Sequence, residues 1–488
     1  MNSSGFSFLI VLTVATLSGS VAASNPNIVV ILVDDMPWWG TSVAQAAGDL
    51  RSTSRYRITP NVEKLAAQGM TFSNAYAAAG MCGPSRASIQ TGLSPARTLY
   101  SGNSNFGEDA PEEVFYALKK RDQGCPLIEP SPIGKLNSDF DTIGELLQEQ
   151  GYATAHIGKW HLYGGGPEAH GYDVGDGETS NNEGKPTSGI EPDDPKRIFS
   201  ITRSGIEFIK ASHEAGKPFY AQLSHYVEHN AQMSLPKTLT EFEALESVQA
   251  LETPRDQKTV ATHGAAVKDL DTSVGMLWEC LEELGLLETT YVLFTSDNGK
   301  DLPNGKESIL RGDKWWAWEA GVRVPFIMTG PGIEPGSRSS LNVINYDLLP
   351  TFYEIAGGDA RALEKKIDGK SLLPILTGSD AKGFEDRALY FHYPHNRGST
   401  SHSAIIEGDF KFYTFYEIPD RPQLFNLKQD LGEVNNLAQQ MPERAEAMLS
   451  RLNGYLDRVG AYFPKENPDA DPEWEVYDPD RDTPPILK

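Results

Sequence analysis

The strongest constraint on the fold is a pair of uninterrupted apolar runs, each ending abruptly in acidic residues. Asn27-Ile-Val-Val-Ile-Leu-Val33 is aliphatic at every position after the first, and Asp34-Asp35 follow it directly. Thr290-Tyr-Val-Leu-Phe-Thr295 has a similar character and stops at Ser296-Asp297-Asn298-Gly299. A strand with one wet face alternates apolar and polar residues, whereas a continuous run belongs to a strand covered on both faces, as in a parallel sheet. Open sheets of that kind hold their sites just beyond the carboxyl ends of the strands.

Helical patterns lie between these runs. Val267, Leu270, Val274, Leu277 and Leu281 recur at spacings of 3, 4, 3 and 4, one apolar face of a helix that Gly285 ends. A second helix is expected over Asp141–Leu147 with Asp141 as its N-cap, followed by a strand over Ala153–Ile157. The alternation predicts an α/β fold, a large mostly parallel sheet flanked by helices. The texture changes after about residue 385. Ser403–Ile406 and Phe410–Tyr413 flank Gly408-Asp409, a hairpin signal. A helix over Pro442–Val459 puts Leu449, Leu452, Leu456 and Val459 on one face, and a Pro- and Asp-rich tail from Glu466 wraps the surface or is disordered. The expected division is a leader over 1–23, a catalytic domain over 24–384, and a smaller C-terminal α+β subdomain over 385–488.

The chain's 488 residues exceed one ordinary core. Its net charge of −24 argues against a nucleic-acid partner, because phosphate binding wants a basic surface. An anionic substrate would have to be drawn by a local cluster of cations; the acidity itself reads as solubility, in keeping with a saline setting. Phe6–Val14 is an apolar run followed by small residues ending Val21-Ala22-Ala23. It has the length of a signal-peptide core and is too short to span a bilayer. A periplasmic or extracellular protein is expected, with no membrane anchor after cleavage. Of the three cysteines, Cys82, Cys125 and Cys280, the last two could pair or remain buried thiols.

The chemistry concentrates in Met81-Cys-Gly-Pro-Ser-Arg-Ala-Ser-Ile-Gln-Thr-Gly92. Pro84 favours the first turn of a helix, so Cys82 falls at or just before its N-terminus, where free N–H groups favour an anion. Arg86 stands one turn along on the same face. Asp34, Asp35, Asp297 and Asn298 offer three carboxylates and an amide carbonyl, hard oxygen ligands suited to Ca²⁺ or Mg²⁺. Taken singly, each has a plainer reading: a buried cysteine, or aspartates capping a strand end.

Cys82-x-Pro-Ser-Arg86 with a following Thr-Gly resembles the signature of the type I sulfatases of the alkaline phosphatase superfamily, and further motifs resemble theirs in the same order. Gly158-Lys-Trp-His161 resembles the element contributing an active-site Lys159 and His161. His229, closing Leu223-Ser-His-Tyr-Val-Glu-His229, stands at the place of the sulfate-binding histidine, with His225 as a rival. Ser296-Asp-Asn-Gly299 resembles the second metal-ligand element. Arg311-Gly-Asp-Lys314, with Glu319 and Gly321–Pro325, resembles the segment carrying a second active-site Lys314. Tyr346–Thr351 and Asp430–Glu433 resemble structural landmarks. Two features depart from the pattern: Gln90-Thr-Gly-Leu93 stands where Leu-Thr-Gly-Arg is common, and Asn230-Ala231 where a proline is usual.

The resemblance implies oxidation of Cys82 to formylglycine by a maturation enzyme. One calcium ion would be held by Asp34, Asp35, residue 82, Asp297 and Asn298. Arg86, Lys159, His161, His229 and Lys314 would complete the catalytic set for hydrolysis of a sulfate ester. A phosphoester or phosphonate-ester hydrolase of the same superfamily is the alternative, and a non-catalytic binding protein a more distant one. The expected substrate is a sulfated oligosaccharide or polysaccharide. His392, Tyr393, His395 and Arg397, on an expected loop before the 403–413 hairpin, would contact it, with the tryptophans at 315, 316 and 318 as stacking surfaces. His156 and His263 read as structural.

Overall fold

The computed structural model describes residues 25–479, apart from 104–112, 119–122, 190, 300–309, 380, 398 and 477. The expected leader over 1–23 lies outside the described residues. Among those described, no helix is long and apolar enough to cross a membrane.

The Asn27–Val33 strand is buried at every position and runs near the middle of an eight-stranded sheet. It pairs in parallel with Thr290–Ser296 on one side and with Phe219–Ser224 on the other, in registers that bring Val33 beside Ser296 and Leu32 beside Ser224. Ala153–Gly158 and Val174–Gly175 extend the parallel half. Phe326–Thr329 runs antiparallel to both of its neighbours, Thr290–Ser296 and Gly69–Phe72, and Ser337–Ser339 closes that edge. The apolar run of the central strand divides by parity between the two faces. Ile28, Val30 and Leu32 enter one core with helices Cys82–Thr91, Ile143–Glu149 and Leu348–Ile355. Val29, Ile31 and Val33 enter the other with helices Pro60–Ala67, Ile198–Glu214 and Pro254–Glu283. Successive side chains of a strand point to opposite faces, so a strand covered twice is apolar throughout.

The C-terminal part is a four-stranded antiparallel sheet, Ala388–Tyr393, His402–Glu407, Phe410–Phe415 and Gln423–Asn426. Gly408 turns its central hairpin with φ +57°, in the left-handed region. One face, with Leu389, Phe391, Ile406, Tyr413 and Phe425, packs on Tyr76, Trp316, Trp318 and Tyr346 of the larger part. The other, with Ile405, Phe412 and Leu424, is covered by helix Pro442–Val459.

The structure corrects two expectations and resolves others. Thr142, not Asp141, caps the helix at Ile143: its side chain accepts from Glu145 N, while the Glu145 carboxylate accepts from Thr142 N at 2.9 Å. In helix Pro442–Val459 the expected Leu449, Leu452, Leu456 and Val459 all pack in one cluster, Leu449 and Val459 at its margin, and Ala445, Met448 and Tyr455 join them. His392 and Tyr393 belong to a strand, not to a loop. The tail is held where it is described: Lys465–Glu466 pairs with Leu127–Ile128, and Asp471 N donates to Gly124 O. Of the two alternatives for Cys125 and Cys280, the structure shows buried thiols with no disulfide between them, Cys125 Sγ donating to the Leu127 carbonyl at 2.8 Å.

Candidate active site

The two acidic strand ends meet because their strands are parallel neighbours in register. Asp35 N donates to Asp297 Oδ1 at 3.1 Å, and Met36 N to Ser296 Oγ at 2.9 Å, which ties the two ends together. Asp35 adopts φ +61°, a left-handed conformation that is uncommon for a residue with a side chain. Asn298 Nδ2 donates to Asp35 Oδ1 at 2.7 Å.

Cys82 opens helix Cys82–Thr91, and the N-cap residue, Met81, supplies no side-chain cap. In the first turn Gly83 N donates to Asn103 Oδ1 at 3.0 Å, Ser85 N donates to the Met81 carbonyl at 3.2 Å and Pro84 has no N–H, so this terminus offers the cluster the Cys82 N–H and the positive end of the helix dipole. Cys82 Sγ lies 3.4 Å from Asp34 Oδ1 and 3.7 Å from Asp35 Oδ1. Ligand atoms of Asp34, Asp35, Cys82 and Asp297 all fall within 4.8 Å of one another, and all four residues are buried. Ser85 Oγ donates to the Asp297 carbonyl and accepts from Asn345 Nδ2, which fixes the helix to the second strand end.

Cations surround this acidic core. Lys159 Nζ is 2.6 Å from Asp34 Oδ2, and Lys314 Nζ is 2.7 Å from Asp35 Oδ1. Arg86 Nε donates to Asp297 Oδ2 at 2.8 Å, and its Nη1 to the Lys159 carbonyl. His229 Nδ1 donates to the Asn230 carbonyl at 2.8 Å, leaving Nε2 turned to Asp35 Oδ2 at 4.0 Å. Burial pushes the Asp34 carboxyl up, but Lys159, His229, Arg86 and Lys314 outweigh it and hold Asp34 well below the usual carboxylate range. Burial wins at Asp297, which is raised to about 6 against the pull of Arg86. Burial, reinforced by Lys159 and Arg86, keeps His161 neutral, and its Nδ1 has no partner among the described residues. The Cys82 thiol is pushed well up by burial, so an unmodified thiol here would be a poor nucleophile.

The donor set fits a hard divalent cation. It is three carboxylates and the Asn298 Oδ1 amide oxygen, and that oxygen is buried without a hydrogen-bond partner. His225, the rival of His229, is buried and held neutral, its pKa lowered to about 4 by burial; Asp194, not the cluster, is the charged group acting on it.

Of the residues expected at a substrate rim, His392 is closed off: Nδ1 bonds Ser403 Oγ at 2.7 Å, and Nε2 donates to the Tyr462 carbonyl at 2.9 Å. Tyr393 is buried and donates to the Arg397 carbonyl at 2.9 Å. His395 is buried between Ser101 Oγ at 2.9 Å and Glu129 Oε2 at 3.5 Å. Arg397 is exposed, its guanidinium 5.0 Å above the ring of Trp315, the residue after Lys314. Trp316 and Trp318 are core, stacked on each other at 5.6 Å, with Trp316 also on His402 at 5.2 Å. His263 faces Glu228 at 3.4 Å, and His156 lies under Trp160. Sequence reasoning missed Asn103 and Asn345. Asn345 immediately precedes the Tyr346–Thr351 motif, which was a usable signal; Asn103 had none.

Residues 26–358 match the Sulfatase family, and residues 311–459 match the family described as N-sulphoglucosamine sulphohydrolase, C-terminal. The chain is 29% identical to arylsulfatase A of Bos taurus, over 93% of this chain and 91% of that one. It is also 29% identical to N-acetylgalactosamine-6-sulfatase of Canis lupus familiaris, over 84% and 76%. Among solved structures, Ps i-CgsB in complex with k-i-k-neocarrahexaose superposes with a TM-score of 0.70 at 22% identity, covering 92% of this chain and 98% of that one. A structure in complex with its substrate D-glucosamine-2-N,6-O-disulfate gives 0.67 at 22%, covering 90% and 98%. With the first match spanning both strand ends, the Cys82 helix and the Lys159 and Lys314 segments, the chain belongs to the sulfatase family, as one of its type I members, and is a sulfuric ester hydrolase.

Proposed function

We propose that the chain hydrolyses sulfate esters carried on sugars, using a nucleophile made by oxidising Cys82 to formylglycine and a calcium ion held by Asp34, Asp35, Asp297 and Asn298. The observation that carries this reading is the convergence, at one buried point, of acceptor-only oxygens, a cysteine at an uncapped helix N-terminus, and Arg86, Lys159 and Lys314. The sugar is supported by relatives of the same fold that bind a carrahexaose and a glucosamine disulfate.

A sulfate ester presents three non-bridging oxygens and a leaving alkoxide, so cleavage needs charge compensation and a proton. The calcium ion, when bound, supplies Lewis-acid polarisation of oxygen. Formylglycine, for which the Cys82 thiol stands in here, would supply when hydrated two hydroxyls on one carbon, one as nucleophile and the other as a route for product release. The Lys159 and Lys314 ammoniums donate to the non-bridging oxygens. The Lys314 ammonium, or His229 when it is the imidazolium with Nδ1 fixed on the Asn230 carbonyl and a proton on Nε2, gives the leaving alcohol its proton. His161, neutral and with Nδ1 unpartnered, accepts a proton as sulfate is released. Arg86 orients Asp297 and Lys159 from one side.

The remaining parts of the reading are a cleaved leader, delivery to the periplasm or beyond, and a maturation enzyme as partner. The test is mass spectrometry of the peptide containing residue 82, together with turnover of sulfated oligosaccharides, aryl sulfates and phosphate esters. Sulfur lost and an aldehyde gained at 82, with specificity greatest for a sulfated oligosaccharide, is the expected result. Full activity with an intact thiol would remove the nucleophile, and preference for an aryl or phosphate ester would remove the substrate class.

A further inference from the structure

Lys196 has no part in the sulfate-cleaving machinery. It is 1% exposed, and among the described residues its ammonium has one hydrogen bond, to the Gly184 carbonyl at 3.3 Å. Unlike Lys159, Lys314 and Arg86, it forms no ion pair among the described residues. A buried ammonium with so little satisfaction is costly to keep. Its backbone adds to that cost: Lys196 and Arg197 have φ +53° and +57°, left-handed in succession, where side chains are disfavoured. Anchors on both sides impose this conformation. Asp194 Oδ1 accepts from Phe199 N at 2.7 Å and Ser200 N at 3.1 Å, at the start of helix Ile198–Glu214, and Arg197 Nη2 donates to Asp176 Oδ2 at 2.8 Å.

The position of the side chain says what this strain is for. Gly184, its one partner, lies flat against Tyr226; a Cβ there would come within 2.6 Å of the ring. Tyr226 starts the turn through Val227, whose carbonyl accepts from Asp34 N at 2.7 Å, and on to His229. The charges that act on Lys196 are Asp34, Lys159 and Asp35, those of the sulfate site itself, while burial brings its pKa down to about 8. Burial does not place it out of a substrate's reach, since Cys82 and Lys159 are 0% exposed and must be reached too. Two unfavourable features on one residue beside an active site mark function more often than accident.

We infer that Lys196 forms a second anion subsite beside the sulfate cradle, binding a further sulfate or a carboxylate on the sugar whose ester is cleaved. The inference rests on the sulfatase reading, but an anionic group on any scaffold would serve. Sulfate and carboxylate share the chemistry an ammonium recognises, and matched substrates separate them.

The test compares Lys196→Met with the wild-type, metal-loaded enzyme on three matched pairs: mono- and disulfated glucosamine, a sulfated sugar with and without a uronic carboxylate, and an aryl sulfate with and without a carboxylate. The expected result is a loss in kcat/KM at least tenfold larger for the dianionic member of a pair than for its monoanionic partner, expressed in KM, with partial recovery in Lys196→Arg. Thermal stability should be equal or higher, because methionine fills the same volume without the buried charge. Equal losses across every pair, no loss, or a variant that does not fold would each overturn the subsite. Wild-type enzyme that turns over the aryl pair and neither sugar pair would instead remove the carbohydrate reading, while the aryl pair still decides on Lys196.

Discussion

At the scale of single residues, the site is a balance of charges that only works as a set. Asp297 holds Arg86 through one carboxylate oxygen and the Asp35 amide through the other. Asp297→Asn keeps the volume and removes the charge. Turnover should fall by at least about 100-fold, in line with losing a preorganised electrostatic group. The rise in melting temperature on adding calcium should also vanish, because a ligand stabilises only the state that binds it. An unchanged calcium-dependent shift in the variant would take Asp297 out of the ligand set. The meeting of Asp34, Asp35, Asp297 and Asn298 was legible in the sequence because each closes a run apolar enough to demand cover on both faces. Lys196 was not: a lysine in a polar, Pro-rich stretch reads as surface, and nothing in the sequence marks its left-handed backbone or its burial.

At the scale of elements, the C-terminal sheet braces the segment that bears Lys314. Lys411, fully buried on Phe410–Phe415, lies 2.7 Å from Glu319 and 3.3 Å from Glu433. Glu319 also holds Arg323 at 2.5 Å, and Glu433 Oε2 accepts from Glu319 N at 2.8 Å. Arg311 donates to the Glu433 carbonyl at 3.0 Å and stacks 3.8 Å over Trp318. Burial pushes the Glu319 carboxyl up, but Lys411 and Arg323 prevail and lower it. Lys411→Met leaves two buried carboxylates short of a cation. The expected cost is about 3–5 kcal/mol, read as a lower denaturation midpoint in urea. A stability unchanged within error would mean that the network is dispensable. The strands of this sheet were only partly legible. The Gly408 turn betrays its hairpin, but Ala388–Tyr393 is covered on both faces, and its histidine and tyrosines blur the alternation that would have marked it. The helix at Ile143 was displaced by one residue because Asp141 and Thr142 are both good caps; Glu145, three residues after Thr142, decides between them.

At the scale of the whole molecule, several histidines are buried neutral. Burial lowers His156 to about 3 and His225, His392 and His402 to about 4 each. The unfolded chain takes up those protons near pH 6.5 and the folded one does not. Their contribution is therefore whole above about pH 6.5 and declines as pH falls towards 4, each tenfold difference in proton affinity being worth about 1.4 kcal/mol. Glu417, raised by burial to about 7, and Glu433, raised by burial to about 6, act in the opposite sense: their contribution is present in acid and is lost as pH rises through those values. Asp297, raised by burial to about 6, acts in the same sense as the glutamates, and the four histidines outweigh these three carboxyls. The melting temperature should therefore fall steadily between about pH 6.5 and 4, and a midpoint that rose over that interval would mean that these histidines are not held neutral.

Cys82 has no exposed surface once the chain has folded, and every residue of its helix is buried with it. A separate protein that must touch that sulfur can do so only while the segment is still extended, or during a local opening. If residue 82 is converted as proposed, the order of events is set by architecture: the change belongs to a chain still emerging or locally opened, and folding then seals whichever side chain is present. On that reading, a cell that makes this chain faster than it can modify it would accumulate well-folded molecules whose repair must wait for the native state to open.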